Sequence, residues 1–237
     1  MYKWIDTSSP DYAAFLHEKG FHIESTVKRF KHFCFSQLII PNRKVSNGHI
    51  HILSPTIEWF ISIPVEETLK HFALGLFEKK EFYIEREENR FFVERVEIIP
   101  EPTWTRCMKF RMLSPLTVSV PEERSGKLIP HYLRPDDPRL KDALRSNILN
   151  KYASLYGSQL QDREFRCSLD ERFIAQRGGP QKISKLITIK QGHKSETKVR
   201  GFMCPLTIEG NPQLIKLAYE SGLGEKGSLG FGMVEVV

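Results

Sequence analysis

The chain has 237 residues, 40% of them hydrophobic, with a formal net charge of +6. That length suits one large domain or two of roughly 100 residues, and the apolar content allows a real core. No apolar run approaches the roughly 18 residues of a membrane helix, no secretory pattern opens the chain, and the positive balance favours polyanionic partners.

In chain order, Ser9 caps and Pro10 opens a short helix carrying Ala13, Ala14, Phe15 and Leu16, which Gly20 ends. Phe33, Phe35 and Leu38 then alternate as in a strand. Ile57, Trp59, Ile61 and Ile63 alternate more cleanly and predict a strand over 56–63. Pro64 starts a helix with Val65, Leu69, Phe72, Ala73, Leu76 and Phe77 on one face. Strand-like runs follow at 82–84 and from Phe91 through Ile99.

The second half begins near Met108, with a further run over Leu113–Val120. Asp137-Pro138 opens a long helix ended by Gly157. Strands over about 163–170, 184–191 and 197–208 come next, then a helix over 212–221 and a closing strand from Leu229. Strand, helix, two strands, helix, strand is the ferredoxin-like order. The fold class expected is α+β, with two ferredoxin-like (RRM-like, βαββαβ) domains in tandem, over 1–107 and 108–237. Cys34, Cys107, Cys167 and Cys204 are widely spread with no C-x-x-C pair. That argues against a zinc site or disulfide framework, and for a reducing cytoplasm.

Between 181 and 200, six cations (Lys182, Lys185, Lys190, Lys194, Lys198 and Arg200) stand against Glu196 alone. Apolar Ile183, Leu186, Ile187 and Ile189 are interleaved, and Gln191-Gly192-His193-Lys194 reads as a turn. A basic β-hairpin suited to phosphates is expected. Lys28, Arg29 and Lys31 form a smaller cluster.

Near the C-terminus, Gly222, Gly224, Gly227, Gly230 and Gly232 crowd together, with Lys226 and Ser228 among them. Gly222, Gly224 and Gly227 satisfy G-x-G-x-x-G, but the dinucleotide fingerprint needs a strand before the glycines and a helix after. Here a helix precedes, capped by Asn211-Pro212, and a strand follows, so no nucleotide cofactor is expected.

This loop, in its helix–loop–strand setting, resembles the signature of the CRISPR-associated RAMP endoribonucleases, which process CRISPR repeat RNA into guide RNAs. Met1-Tyr2-Lys3-Trp4-Ile5, Ser9-Pro10 and Phe15-Leu16-His17-Glu18-Lys19-Gly20 resemble that family's early helical segment. Phe30-Lys31-His32-Phe33-Cys34-Phe35-Ser36 resembles its next strand, and Leu113–Val120 a mid-chain strand. The resemblance implies tandem ferredoxin-like domains. It leaves the first domain without its opening strand, because Met1 already stands where the first helix falls. A missing central strand would leave its neighbours unpaired. A natural start upstream, a trimmed chain or a rearranged first domain is therefore expected.

Cutting RNA without a metal requires a base for the 2′-hydroxyl, an acid for the departing 5′-oxygen, and a cation at the phosphate. Histidine suits proton transfer and lysine suits the phosphate. By resemblance, His17 in Leu-His-Glu-x-Gly is the expected base or acid, Lys31 in Phe-Lys-x-Phe the phosphate cation, and Tyr2 an assisting residue. His22 and His32 stand as alternative bases, and His193 as an RNA contact. His49 and His51, two apart, are expected to be ordinary strand residues, without a third metal ligand. The RNA-binding set is Lys28, Arg29, Lys182, Lys185, Lys190, Lys194, Lys198, Arg200, Gly222, Gly224, Lys226, Gly227, Ser228, Gly230 and Gly232. The implied activity is metal-independent cleavage within each repeat, leaving a 2′,3′-cyclic phosphate and a 5′-hydroxyl. The rival reading is a subunit that holds guide RNA without cutting. Other CRISPR effector subunits and a second copy of the chain complete the expected partners, with no membrane.

Overall fold

A computed structural model describes residues 1–23, 28–84 and 86–237. The chain enters α1 (Tyr2–Ser8) at once, burying Trp4 and Ile5. Ser9 accepts a hydrogen bond from the Tyr12 amide and Pro10 takes the first position of α2 (Pro10–Ala14). The helix then widens into a π turn over Phe15–Lys19, ended by Gly20.

Strands β1 (Phe21–His22) and β2 (Arg29–Phe30) pair antiparallel, and β3 (Cys34–Phe35) follows. An exposed hairpin, β4 (Arg43–Ser46) and β5 (His49–Ile52), comes next. Strand β6 (Ile61–Ser62) returns to pair with β3. The strand expected over 56–63 is reduced to this pair and an isolated bridge from Glu58 to Ile39. Its alternation has another source: Trp59, Ile61 and Ile63 all pack on the first core. Helix α3 (Glu66–Glu78) lies against α1, followed by the pair β7 (Glu81–Tyr83) and β8 (Arg90–Phe92). The run expected through Ile99 stops there, and Ile98 is almost fully exposed.

In the second half, β9 (Cys107–Met112) buries Met108, Phe110 and Met112 in strict alternation. The hairpin β10 (Ser119–Arg124) and β11 (Lys127–Tyr132) precedes α4 (Leu140–Tyr156), which Gly157 ends. After β12 (Phe165–Leu169) come short α5 (Glu171–Gln176) and α6 (Pro180–Ile183). A second hairpin follows, β13 (Ser184–Ile189) with β14 (Thr197–Phe202), then β15 (Leu206–Gly210), α7 (Pro212–Ser221) and β16 (Val234–Val236).

Strands β12, β15, β9 and β16 form one antiparallel sheet in that order. With α4 and α7 this is the βαββαβ pattern, with the two hairpins as insertions. The single strand expected over 197–208 is two, β14 and β15, because the chain breaks at Cys204-Pro205 and Pro205 has no amide to donate. Of the run over 113–120 only Ser119 and Val120 are in a strand; Pro115 interrupts it and Leu116 bridges Phe202 alone. In the first half the described residues form only two-stranded ladders.

Two hydrophobic cores result. One gathers Trp4, Ile5, Leu16, Phe33, Phe72 and Leu76; the other lies under the four-stranded sheet around Phe110, Leu144, Ile148, Ile208, Leu214 and Leu217. None of the described helices is long and apolar enough to cross a membrane.

Candidate active site

The π turn, β2 and α1 bring three distant side chains together. The Tyr2 ring stands edge-on to the His17 imidazole, with centroids 5.4 Å apart at 82°. It also meets Phe33 edge-on at 5.7 Å, which fixes it against the first core. Lys31, just past β2, reaches back to the π turn, where its ammonium donates to the carbonyls of Leu16 and, at 2.6 Å, His17. Carbonyls at a helix end lack intrahelical partners, so the lysine satisfies groups the turn leaves open. Gly20 clears its path: at φ +60, a Cβ there would lie 2.7 Å from the Phe30 carbonyl and 3.2 Å from Lys31 Nζ. π turns inside helices recur at functional sites.

Burial pushes the Tyr2 phenol up to about 12, partly opposed by its hydrogen bond with Ser228. It is therefore protonated at neutral pH. Burial, and then the charge of Arg29, draw Lys31 below the ordinary lysine value. His17 itself is exposed. Arg29 donates to the Glu18 carbonyl beside it, and the Lys28 ammonium lies 3.9 Å from the Glu225 carboxylate. Tyr2, His17, Lys28, Arg29, Lys31 and Ser228 thus form one neighbourhood.

The glycine loop closes this neighbourhood by packing on the protein's own chain. A Cβ at Gly227 would meet the Phe33 carbonyl at 2.8 Å, one at Gly230 the Phe35 ring at 2.6 Å, and one at Gly222 the Cys34 Cβ at 3.0 Å. Gly224 lies against the Thr117 carbonyl and Gly232 against that of Leu223. The close approaches that demand glycine are thus intramolecular, and they dock the loop onto β3 and the 116–117 segment. Lys226 and Ser228 project from it: the Lys226 ammonium stands 5.9 Å from the centre of the Tyr132 ring.

The basic hairpin forms where expected, but its cations diverge. Cross-strand register puts Lys198 and Arg200 on the face shared with Thr188 and Leu186, and Lys185 on the opposite face beside Gly201. Lys190 and Lys194 sit in the connecting turn, together with His193, and Lys182 lies in α6. This set stands apart from the Tyr2–His17–Lys31 cluster in the sequence of contacts, joined to it through Thr117. The Thr117 hydroxyl donates to the Arg200 carbonyl at 2.8 Å, and its own carbonyl accepts from the Glu225 amide at 2.7 Å.

Of the alternative bases, His32 is buried, with Nε2 3.0 Å from the Ser154 hydroxyl and Nδ1 unpartnered. That burial keeps the ring out of reach of RNA; burial, then the Lys151 charge, also pull its pKa down to about 3. His22 is exposed on β1. His49 and His51 share an exposed face of the β4–β5 hairpin, where His51 meets the Ser46 hydroxyl at 2.9 Å. Among the described residues no three His, Cys, Asp or Glu side chains converge as a metal site would need, and all four cysteines are free.

Three features lie outside the expectations. Lys151 of α4 is buried and donates to the carbonyls of Ser221, at 3.1 Å, and Gly222, where the glycine loop leaves α7. Burial lowers its pKa to about 8. The β4–β5 and β10–β11 hairpins turn through Asn47-Gly48 and Ser125-Gly126, each with two successive positive φ values. Those dipeptides are the signal that carries them. The β10–β11 hairpin brings Arg124, His131, Tyr132 and Arg134 alongside β14.

Residues 1–97 match the family described as CRISPR-associated protein Cas6, N-terminal, and residues 99–236 match CRISPR associated protein Cas6, C-terminal. The chain belongs to the Cas6 family. It is 27% identical over 234 residues to CRISPR-associated endoribonuclease Cas6 1 of Methanocaldococcus jannaschii, covering 99% of this chain and 82% of that one. It is 28% identical over 237 residues to CRISPR-associated endoribonuclease Cas6 of Pyrococcus furiosus, covering 100% and 79%. A solved structure of a Cas6-related protein from Pyrococcus furiosus superposes with a TM-score of 0.80 at 25% identity, covering all of this chain and 86% of that one. The tandem ferredoxin-like fold of Cas6 is therefore the fold of this chain.

Proposed function

We propose that this protein binds CRISPR repeat RNA and cuts it once within each repeat, by a metal-independent transesterification at the Tyr2–His17–Lys31 cluster. The carrying observation is the convergence of a half-buried phenol, an exposed imidazole and an ammonium held by the main chain beside it. In this reading His17 takes the proton from the 2′-hydroxyl, and the 2′-oxygen attacks the adjacent phosphorus. The bond from phosphorus to the 5′-oxygen breaks, and that oxygen leaves with a proton donated by Tyr2 or by protonated His17. Lys31 offsets the charge that builds on the phosphoryl oxygens. The products are a 2′,3′-cyclic phosphate and a 5′-hydroxyl.

Lys28, Arg29, Lys226 and Ser228 border the cluster and would hold the backbone on either side of the cut. Lys198 and Arg200 on one hairpin face, with Lys185, Lys190 and Lys194 beyond it, would bind RNA further away. The glycines act by setting the loop's path against β3. The Cas6 endoribonucleases from Methanocaldococcus jannaschii and Pyrococcus furiosus support the substrate class.

The test is incubation with repeat RNAs from the CRISPR arrays of the source genome, followed by mapping of the product ends. One cut per repeat with cyclic phosphate ends is the expected outcome. RNA that is retarded on a native gel but stays intact would replace the nuclease by a guide-RNA-holding subunit.

A further inference from the structure

A groove of about 460 Å³ runs between the β10–β11 hairpin and β14, away from the Tyr2–His17–Lys31 cluster. Arg124, His131, Tyr132, Arg134, Asp136 and Arg200 line it. Several of its charges are already matched. Arg124 pairs with Glu122 at 2.8 Å, His131 lies 3.3 Å from the same carboxylate, and Asp137, which also lines the groove, is held by Arg139 at 2.8 Å. Among the described residues neither the Arg134 nor the Arg200 guanidinium forms an ion pair, and the Arg200 guanidinium donates to the Ser184 hydroxyl at 3.4 Å. Two arginines left without carboxylates at a groove carrying a half-buried tyrosine ring offer phosphate binding and base stacking together.

The size sets the ligand. The volume suits one small-molecule-sized group, and a base can reach a side-chain ring only when it is unstacked and unpaired. Asp136 can accept from a base N–H but repels a second phosphate. The groove also joins the glycine loop: Lys226, two residues before Ser228, lies over Tyr132. One RNA strand could therefore run from the Tyr2 neighbourhood across Lys226 into the groove.

We infer that this groove is a subsite for one unpaired nucleotide of the bound RNA, with its phosphate on Arg134 and Arg200 and its base on Tyr132. It rests on the RNA-binding part of the function proposed above and not on cutting.

The test uses the full chain and a repeat RNA made uncleavable by a 2′-deoxy substitution 5′ of the mapped cut, or the unmodified repeat where no cut is found. Single abasic substitutions are scanned along it and binding is measured by fluorescence anisotropy. Wild-type protein loses about tenfold in affinity when one particular base near the cut is removed, the size expected for a stacked base. Tyr132→Ala is weakened by a similar factor and becomes indifferent to that abasic position. Arg134→Ala, on an exposed side chain, lowers the slope of log affinity against log salt by about 0.7, one single-strand phosphate contact. Abasic penalties that add to Tyr132→Ala at every position, or an unchanged salt slope for Arg134→Ala, would overturn the subsite. Wild-type protein that shows the coupling yet cuts no repeat would remove the nuclease reading alone. A protein that cuts without the coupling would remove the subsite alone.

Discussion

The Lys31 ammonium donates to the backbone carbonyl of His17 at 2.6 Å. The cation and the imidazole-bearing residue are thus joined through the main chain of the π turn, while the exposed imidazole ring itself lies edge-on to Tyr2. If Lys31 closes the turn and, as proposed, also offsets charge on the phosphate, its removal should have two separable effects.

His17→Ala is expected to slow single-turnover cleavage by about 10²–10⁴-fold, the size of one positioned acid or base. Repeat-RNA affinity should stay within threefold and thermal stability should not change, since the ring is exposed. Lys31→Ala should slow cleavage comparably and also lower the melting temperature, because the Leu16 and His17 carbonyls lose their donor. Wild-type cleavage by His17→Ala would remove it from the mechanism.

Tyr2→Phe keeps the ring against His17 and Phe33 but removes the phenolic donor. Cleavage should fall by tenfold or more without loss of binding. Because burial pushes the phenol up to about 12, it stays protonated through the working range. The pH–rate profiles of Tyr2→Phe and wild type should therefore have the same shape between pH 5 and 9. A limb missing from the variant's profile would mean that Tyr2 titrates.

The proposed transesterification makes a chemical prediction independent of any variant. A 2′-deoxy residue immediately 5′ of the cut should block cleavage completely while binding persists, and EDTA should leave the rate unchanged. Restoration of activity by added divalent ions after EDTA treatment would point to another mechanism.

His32 makes stability pH-dependent. Its folded pKa lies near 3 against an ordinary value of 6.5. As pH falls below 6.5 the unfolded chain takes up this proton before the folded one does. The stability is therefore fully present above about 6.5 and drains away toward pH 3, at up to about 1.4 kcal/mol per pH unit. His32→Asn tolerates the residue's positive φ of 47° and does not titrate. Chemical denaturation at pH 7 and pH 5 should show a smaller loss for this variant than for wild type; equal losses would contradict the assignment.

Two glycines with nearly the same φ should respond differently to alanine. Gly126, at φ +73, has nothing within 4 Å of a new Cβ, so Gly126→Ala meets only the left-handed strain of about 1–2 kcal/mol. At Gly232, φ +75, the Cβ would lie 2.0 Å from the Leu223 carbonyl. Overpacking then adds to strain, for roughly 3 kcal/mol or more in total. Calorimetry should give a melting-temperature drop at least twice as large for Gly232→Ala. An equal drop would show that the loop yields around the new methyl.

Much of the molecule is legible from local chemistry. Asn211-Pro212 and Gly222 bound α7, Ser9-Pro10 opens α2, and Gly157 ends α4, because caps and turn residues act within a few positions of themselves. The βαββαβ order of the second half follows from periodicity. Strand extents are less legible. Alternation at Trp59, Ile61 and Ile63 reports burial on one side and is silent on whether a partner strand lies alongside. The burial of Lys151 and of His32 gave no signal, since it depends on segments 70 to 122 residues apart.

The βαββαβ order of the second half, several helix ends and the family wording at His17, Lys31 and the glycine loop are short-range properties, readable in the chain alone. Tertiary structure decided how those pieces combine. It laid Tyr2 against His17, turned Lys31 back onto the π turn, and divided the cations of the basic hairpin between two faces. It also gave the glycines their partners. Their lack of a side chain could have served a ligand or the protein itself, and Phe33, Cys34, Phe35, Thr117 and Leu223 fill that space. Contacts set by packing between distant segments carry no local pattern, so only the folded chain contains them.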